Sequence, residues 1–382
     1  MPEVPSSVLA LFDVGVSLMR RTASGRVWLA RHADILHADL LPETLRGPLR
    51  AELEGAHMTL VEPIDAKLAQ KAANGVKRVD ETPLATTPTA QVHRGELDGE
   101  PVAVKVARPG LAATIRSELS LLDILAGPIR AVFPVLDVPG VLREVRETVM
   151  DELDLEHEGE TQHRVRRALR RLDGVTVPAV HVDECGPEVL VTELLEGPTL
   201  AAAHAPDPGR VARLLVEAHL TAWGEAGLVL TDARPGHVVL LPNDSIGLLG
   251  TGLARPVARD RMAIGVSAFA GLAEADPAHF VAAAEALGVL PADAAAEAHA
   301  LLRELLGEFA TGPARLDGPA LAAMTVRAHR RIGDLLRLGA QATPEPSDLA
   351  ALRMLGQLTA ALSRLGVTED WPALALRASA AS

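Results

Sequence analysis

The chain has 382 residues, enough for one large domain or two to three lobes, and its formal net charge of −13 argues against nucleic-acid binding driven by overall charge. Its single cysteine, Cys185, excludes a disulfide bond within the chain and fits a reducing compartment. Since no uninterrupted apolar stretch approaches the roughly 20 residues that span a bilayer, we expect a cytoplasmic protein with no transmembrane segment and at most peripheral membrane contact.

The first part of the chain is expected to be helical and then to change character. Apolar residues recur at helical spacing through the first 80 residues, which predicts a helical N-terminal extension over 1–80. Short strands are predicted at 91–97 and at the valine-rich 101–106, and they are joined by Asp98-Gly99-Glu100. This combination predicts a tight hairpin.

A second strand pair is expected over 175–182 and 188–194, after a stretch of helical periodicity. A Glu-Gly-Pro break at 196–198 ends this region. The sequence therefore predicts a small lobe of sheet and helices over 81–197.

The remainder, 198–382, is expected to be a largely helical large lobe. Within it, 238–241 and 246–249 predict a small hairpin around Asn243-Asp244. A polar tail is expected to close the chain. Helices are predicted at about 258–274, 277–288, 291–312, 317–338 and 346–366.

Lysine is almost absent, and one lysine lies inside an apolar strand. Only four of the 37 basic residues are lysines, and Lys105 is flanked by the β-branched run Val102–Val106. A compact, strongly hydrated ammonium is unfavourable in such a place without a partner, so a specific requirement is expected. A Val-Ala-x-Lys strand is also the phosphate-holding strand of protein kinases. The other lysines are Lys67, Lys71 and Lys77.

Two further segments carry the charges that phosphoryl transfer needs. That chemistry requires a cation on the phosphates, metal-binding oxygens and a carboxylate at the acceptor. An acid-rich stretch at 151–160 offers a partner for Lys105, and the loop 230–237 offers Asp232. Taken alone, each segment also fits a plain structural role, the first as a solvated helix face and the second as an ordinary loop.

The order of these segments resembles the UbiB/AarF atypical kinase family over about residues 83–257. The resemblance implies an α+β, two-lobed protein-kinase-like fold with a helical N-terminal extension and a largely helical C-terminal lobe. The matching segments are Pro83–Arg94 (the Ala-rich nucleotide loop and its following strand), Val102–Gly110 (the lysine strand), Glu152–Glu158 (the Glu-x-Asp motif and the lysine-pairing glutamate), Val189–Gly197 (the hinge strand), Asp232–His237 (the catalytic loop) and Leu248–Gly252 (where Asp-Phe-Gly belongs).

The resemblance also implies roles for individual residues. Lys105, paired with Glu158, would hold the phosphates of ATP or ADP, and Asp232 would be the acceptor carboxylate if the protein is active. Glu152 and Asp154 would form the regulatory motif that in the family holds a lysine of the N-terminal extension. Further nucleotide contacts are expected at Ala85, Thr86, Thr87, Gln91, Glu193 and Leu195.

The sequence departs from the family at both metal positions. His237 replaces the asparagine that ends the family's catalytic loop, and Gly250 replaces the aspartate of Asp-Phe-Gly. Magnesium prefers hard oxygen ligands in octahedral geometry, which neither imidazole nor glycine supplies. We therefore expect no bound metal at these positions, magnesium included.

The N-terminal extension departs as well. The family's Lys-x-Gly-Gln signature is replaced by the residues 29–32, so Glu152 and Asp154 lack their usual lysine. Arg31 is a candidate replacement one turn away, with different geometry. Alternatively, 26–41 is an amphipathic helix with no such role.

Three functions fit these observations. The first is a UbiB-like pseudokinase that binds nucleotide weakly and acts as a regulatory or binding module. The second is an active ATPase or small-molecule kinase linked, as the resemblance implies, to isoprenoid-lipid or quinone metabolism. The third is an interaction scaffold without nucleotide binding, formed by the helices of 258–366. An unidentified protein or lipid partner is also expected.

Overall fold

The computed structural model describes residues 22–25, 64, 66–73, 75–87, 89–120, 146, 149–150 and 153–380. Over these residues the chain forms two compact units. The described residues of the first unit fall within Met1–Glu160 and Ala179–Leu194, and those of the second fall within Thr161–Pro178 and Leu195–Ser382. Most of the predicted N-terminal extension lies outside the described residues, and the domain limits at 80/81 and 197/198 stay predictions.

Both units contain strands and helices. The strands are β1 (Arg78–Thr86), β2 (Ala90–Leu97), β3 (Glu100–Ala107), β4 (Val175–Thr176), β5 (Val189–Glu193), β6 (Leu228–Val229), β7 (Val238–Leu241), β8 (Ser245–Leu248), β9 (Arg255–Pro256), β10 (Ala314–Leu316) and β11 (Val367–Glu369). The helices are α1 (Ala66–Ala72), α2 (Leu155–Leu169), α3 (Pro208–Ala226), α4 (Arg259–Ala273), α5 (Pro277–Leu287), α6 (Ala292–Leu306), α7 (Gly318–Arg330), α8 (Ile332–Gly339), α9 (Pro346–Ser363) and α10 (Trp371–Ala380). Residues 111–120 are also helical.

The first unit is built on an antiparallel sheet with the strand order β1-β2-β3-β5. Its predicted hairpin is confirmed, because Asp98 and Gly99 have φ values of 51° and 91° and so form the tight turn between β2 and β3. Alternate residues of β3 point into a core that includes Val102, Val104 and Val106. Lys105 therefore lies on the opposite face of the sheet.

The edge strand β1 was not expected. The sequence predicted helix up to residue 80 and a loop from residue 83, yet 78–86 pairs with β2, with irregular register around Pro83. Pro83 has no N–H to donate to a ladder, which limits it to such an edge. Only Val79 and Pro83 of this strand are even half-buried, so the sequence carries no alternating apolar pattern.

The predicted pairing of 175–182 with 188–194 was wrong for its first half. Val175 and Thr176 pair in parallel with β8 of the second unit's hairpin. Only the end of the segment meets β5, through a bridge between Val180 and Thr192 and a hydrogen bond from His181 N to Val191 O of 2.9 Å. A short 3₁₀ turn, Val182–Glu184, then replaces the expected strand end.

The second unit is organised around α3. Asp207 caps the start of this helix by accepting a hydrogen bond from Arg210 N at 2.9 Å, and Pro208 occupies its first turn. Gly227 ends it in the left-handed conformation, with φ 64°. Apolar residues of α3 pack in one core with others from β7, β8, α9 and α10.

The C-terminal region differs from the prediction in two places. The helix expected over 317–338 is two helices separated at Arg331. The expected polar tail is the helix α10, which buries Leu374 and Ala378 in the core that contains α3. Within the described part of the chain, no helix has both the length and the apolar character needed to cross a membrane.

Candidate functional site

The first unit holds the predicted pair of Lys105 and Glu158. Lys105 is on β3, between Val92 of β2 and Leu190 of β5, and its Nζ lies 2.7 Å from Oε1 and 2.6 Å from Oε2 of Glu158. The side chains are 19% and 8% exposed. The ammonium therefore donates to both carboxylate oxygens in a largely dehydrated place.

Local structure at the start of α2 fixes the position of Glu158. Asp154 caps the helix, since its Oδ1 accepts a hydrogen bond from His157 N at 2.9 Å. Gly159 lets the helix approach the sheet, because a Cβ there would lie 3.1 Å from Leu190 Cδ1. The structure thus gives Asp154 a capping contact. Glu152 and Arg31 lie outside the described residues.

The predicted nucleotide loop is the turn between β1 and β2. Ala85 and Thr86 are exposed at the end of β1. The Thr87 hydroxyl is used within the turn, where it accepts from Ala90 N at 3.0 Å. Arg108, a residue that the sequence did not single out, braces the turn through its Nε, which donates to Thr87 O at 3.1 Å.

The buried side chain of Gln91, a predicted nucleotide contact, is hydrogen-bonded within the first unit. It is 1% exposed, and its Oε1 accepts a hydrogen bond from Ile64 N at 2.7 Å. Its Nε2 lies 3.4 Å from Thr86 Oγ1. The side-chain amide thus joins β2 to the end of β1 and to a residue 27 positions earlier.

The two predicted hinge residues fall in different units. Glu193 ends β5, and its Oε2 accepts a hydrogen bond from Ala179 N at 3.1 Å within the first unit. Leu195 belongs to the second unit, where its side chain occupies the space that a Cβ at Gly247 would need.

The predicted catalytic loop, 232–237, is held together by hydrogen bonds between its own residues. Asp232 has a side chain only 3% exposed. Its Oδ1 accepts from Arg234 Nε at 2.6 Å and its Oδ2 accepts from Arg234 Nη2 at 3.0 Å. A guanidinium that binds a carboxylate through two parallel hydrogen bonds is held firmly. Sequence reasoning missed Arg234, although its spacing of two residues from Asp232 is visible in the chain.

The two altered metal positions are in direct contact. His237 N donates to Arg234 O at 2.8 Å, and the His237 imidazole lies with Nδ1 3.4 Å from Asp232 Oδ2. Its ring also lies against Gly250, which adopts a left-handed backbone conformation with φ 67°.

A small cavity of about 10 Å³, the size of one water molecule, lies beside this loop and is lined in part by His219 and Thr251. Burial lowers the pKa of His219 to about 4, although a hydrogen bond from its Nδ1 to Leu215 O, 2.7 Å long, acts in the opposite direction. Among the described residues, His219 Nε2 and Thr251 Oγ1 have no hydrogen-bond partner.

These residues do not fit magnesium. Arg234 occupies both oxygens of Asp232, and position 250 has no side chain. His237 offers a ring nitrogen where magnesium prefers oxygen. Across the part of the chain that the structure describes, no group of three or more histidine, cysteine or acidic residues could hold a metal ion.

Comparison with known proteins places the chain in a family. Residues 56–283 match the ABC1 atypical kinase-like domain. "Probable protein kinase UbiB" of Pseudomonas fluorescens (strain Pf0-1) is 31% identical over 60% of this chain and 44% of its own length. "AarF domain-containing protein kinase 1" of Xenopus tropicalis is 27% identical over 48% of this chain and 36% of its own length. The chain thus matches less than half the length of each of these relatives.

A solved structure shows the same fold. Rv3197 of Mycobacterium tuberculosis, in its complex with erythromycin, matches with a TM-score of 0.66 at 20% identity, over 97% of this chain and 94% of that one. The α+β, kinase-like fold expected from the sequence is therefore confirmed. The chain belongs to the ABC1 atypical kinase-like family, that of UbiB and the AarF-domain proteins.

Proposed function

We propose that this chain is a pseudokinase that binds ATP or ADP weakly, without magnesium, and acts as a regulatory or binding module. One observation carries the proposal. The chain keeps Lys105, the cation suited to phosphate, whereas Arg234 occupies Asp232, the predicted acceptor carboxylate. Lys105 retains both oxygens of Glu158, whereas Arg234 takes both oxygens of Asp232.

The retention of Lys105 supports a ligand-binding role. A largely buried ion pair contributes little net stability, because the free energy of dehydrating both charges offsets their attraction. The chain uses lysine almost nowhere else, so a solubilising role is a poor explanation. A cation held in a fixed position on β3, in the same sheet as the exposed residues Ala85 and Thr86 at the end of β1, is suited to a nucleotide phosphate.

The loop of the second unit supports the absence of phosphoryl transfer. That reaction depends on metal ions that neutralise the phosphates and on a carboxylate that is free to orient the acceptor. Arg234 cancels the charge of Asp232, and Gly250 brings no second carboxylate. The loop therefore has no excess negative charge that would call for a divalent ion, which suits nucleotide binding without metal.

Thermal denaturation with ATP or ADP in EDTA tests the proposal. We expect wild type to be stabilised by about 3 °C at a nucleotide concentration tenfold above the dissociation constant. Lys105→Met should lose that shift, because it removes the cation. Lys77→Met, which changes an exposed lysine of the same unit, should keep it. The shift is measured for each variant relative to the same variant without nucleotide, so a change in basal stability does not affect it. Equal shifts for wild type and Lys105→Met, or no shift in wild type, would refute the proposal.

An active ATPase or kinase is the second candidate, favoured by the intact Lys105–Glu158 pair and by relatives whose names include protein kinase. In that case ATP hydrolysis in magnesium should be measurable and should be abolished in Asp232→Asn. A rate that is equal in wild type and in this variant would remove the candidate.

An interaction module is the third candidate, favoured by exposed leucines on α9. Leu349, Leu352 and Leu355 are 45%, 61% and 51% exposed at spacings of three residues, which places them on one helix face. Because the net charge of −13 opposes anionic lipid, a flotation assay with neutral phosphatidylcholine vesicles is the suitable test. Binding that is lost in Leu352→Glu would support a lipid surface as partner, and no binding would exclude it.

A further inference from the structure

We propose that His237 and Gly250 form one steric unit, in which the imidazole fills the space that a side chain at position 250 requires. A carboxylate can then return to position 250 only after His237 has been replaced. The proposal concerns how the second unit excludes a metal ligand. It does not depend on nucleotide binding at Lys105.

The register of the β7–β8 hairpin brings the two positions together. Val238 is paired with Leu248, and Leu249 N donates to His237 O at 2.8 Å. The residue after Leu249 is Gly250, so its Cα comes directly beside the His237 side chain. Positions 13 apart in sequence are thereby neighbours.

The distances leave no room for a Cβ. At position 250 it would lie 3.0 Å from Cε1 and 3.2 Å from Cγ of His237, and nearer still to Nδ1. Carbon atoms that are not bonded to each other pack at about 3.5–4.0 Å. Any residue other than glycine must therefore displace the ring.

The ring is held where it is. Its Nδ1 lies 3.3 Å from Asp232 O and 3.4 Å from Asp232 Oδ2, and its Nε2 lies 3.5 Å from Arg234 Nη2. These contacts join the imidazole to the Asp232–Arg234 pair. Moving the ring would break them, so a side chain at position 250 is resisted by the whole loop.

A matched glycine separates the collision from backbone strain. Gly288, in the same unit, has φ 69°, close to the 67° of Gly250. Within the described residues no heavy atom lies within 4 Å of a Cβ at position 288. Replacement of either glycine by alanine strains the backbone equally, and only the one at position 250 meets a side chain.

Melting temperatures of four proteins provide the test: Gly250→Ala and Gly288→Ala, each in wild type and in a His237→Ala background. In wild type, Gly250→Ala should lower the melting temperature by about 2–6 °C more than Gly288→Ala, because it overpacks the loop. In the His237→Ala background the two glycine changes should have equal effects. The proposal is overturned if Gly250→Ala is no worse than Gly288→Ala in wild type, or if its excess persists without the imidazole.

Gly250→Asp gives a second measurement with the metal-binding side chain itself. We expect Gly250→Asp alone to reduce the soluble yield or the melting temperature. The double variant with His237→Asn should recover both. Equal losses for Gly250→Asp with and without His237→Asn would contradict the proposal, since the ring would then not be the obstacle.

Discussion

Lys105 and Glu158 form an ion pair on the sheet of the first unit. Both side chains are largely withdrawn from water, and each satisfies the other. A lone carboxylate left in that place would be unfavourable, whereas removal of both charges would leave an apolar contact between β3 and α2. The pair therefore supports the fold only as a pair.

Replacement of Lys105 alone should destabilise the protein more than replacement of both residues. We expect Lys105→Met to lower the free energy of unfolding by about 2 kcal/mol, because Glu158 loses its cation, and Lys105→Met with Glu158→Leu to recover most of that loss. Urea denaturation measures both. Lys77→Met should stay within about 0.5 kcal/mol of wild type. A double variant no more stable than Lys105→Met would contradict this interpretation.

His219 should make stability depend on pH. Its pKa of about 4 in the folded protein lies below the ordinary value, so the unfolded chain binds a proton first as the pH falls. Its contribution is fully present above pH 6.5 and is lost as the pH falls towards 4, by roughly 3 kcal/mol in total.

Urea denaturation of wild type and His219→Leu between pH 7.5 and pH 5 tests this prediction, and the denaturation midpoints are compared. Asp232 and His237 line the same cavity and are unchanged in the variant. We expect wild type to lose more stability than the variant over this range. Parallel curves would show that His219 does not titrate differently in the folded and unfolded states.

At the scale of elements, the β2–β3 and β7–β8 hairpins could be predicted because their turns contain residues that tolerate positive φ, Asp98-Gly99 and Asn243-Asp244. The edge strand β1 could not, since its pattern of burial is irregular. The helix α10 was taken for a polar tail although most of its ten residues are apolar, and it buries Leu374 and Ala378 in the core that contains α3. In these cases tertiary packing, which local sequence does not encode, decides the structure.

Gly197, in the segment before α3, lies close to the backbone of β7. A Cβ there would run into Leu240 O, and Leu240 N donates to Pro198 O at 2.9 Å. Because a β7 carbonyl cannot turn away as a side chain can, Gly197→Ala should destabilise the protein by about 1–3 kcal/mol.

Gly236→Ala is the control for Gly197→Ala. Gly236 lies in the same unit, and no heavy atom of the described residues would lie within 4 Å of a Cβ at this position. We expect it to stay within about 0.5 kcal/mol of wild type in urea denaturation. Similar effects of the two substitutions would argue against the close approach at Gly197.

At the scale of the whole molecule, the sequence was sufficient for the family and the fold, since local motifs in a fixed order carry both. It was also sufficient to pair Lys105 with Glu158. The bond between Arg234 and Asp232, the contact between His237 and Gly250 and the tie of Gln91 to Ile64 could not be predicted. They depend on side-chain directions and strand register, which residue types alone do not specify.

The most direct measurement of the central claim is calorimetric titration of the wild-type chain with ATP, in EDTA and again in excess magnesium. Since Arg234 binds both oxygens of Asp232 and position 250 has no side chain, we predict dissociation constants that agree within about threefold. Binding that occurs only with magnesium, or that tightens by about tenfold or more with it, equivalent to about 1.4 kcal/mol, would contradict the account.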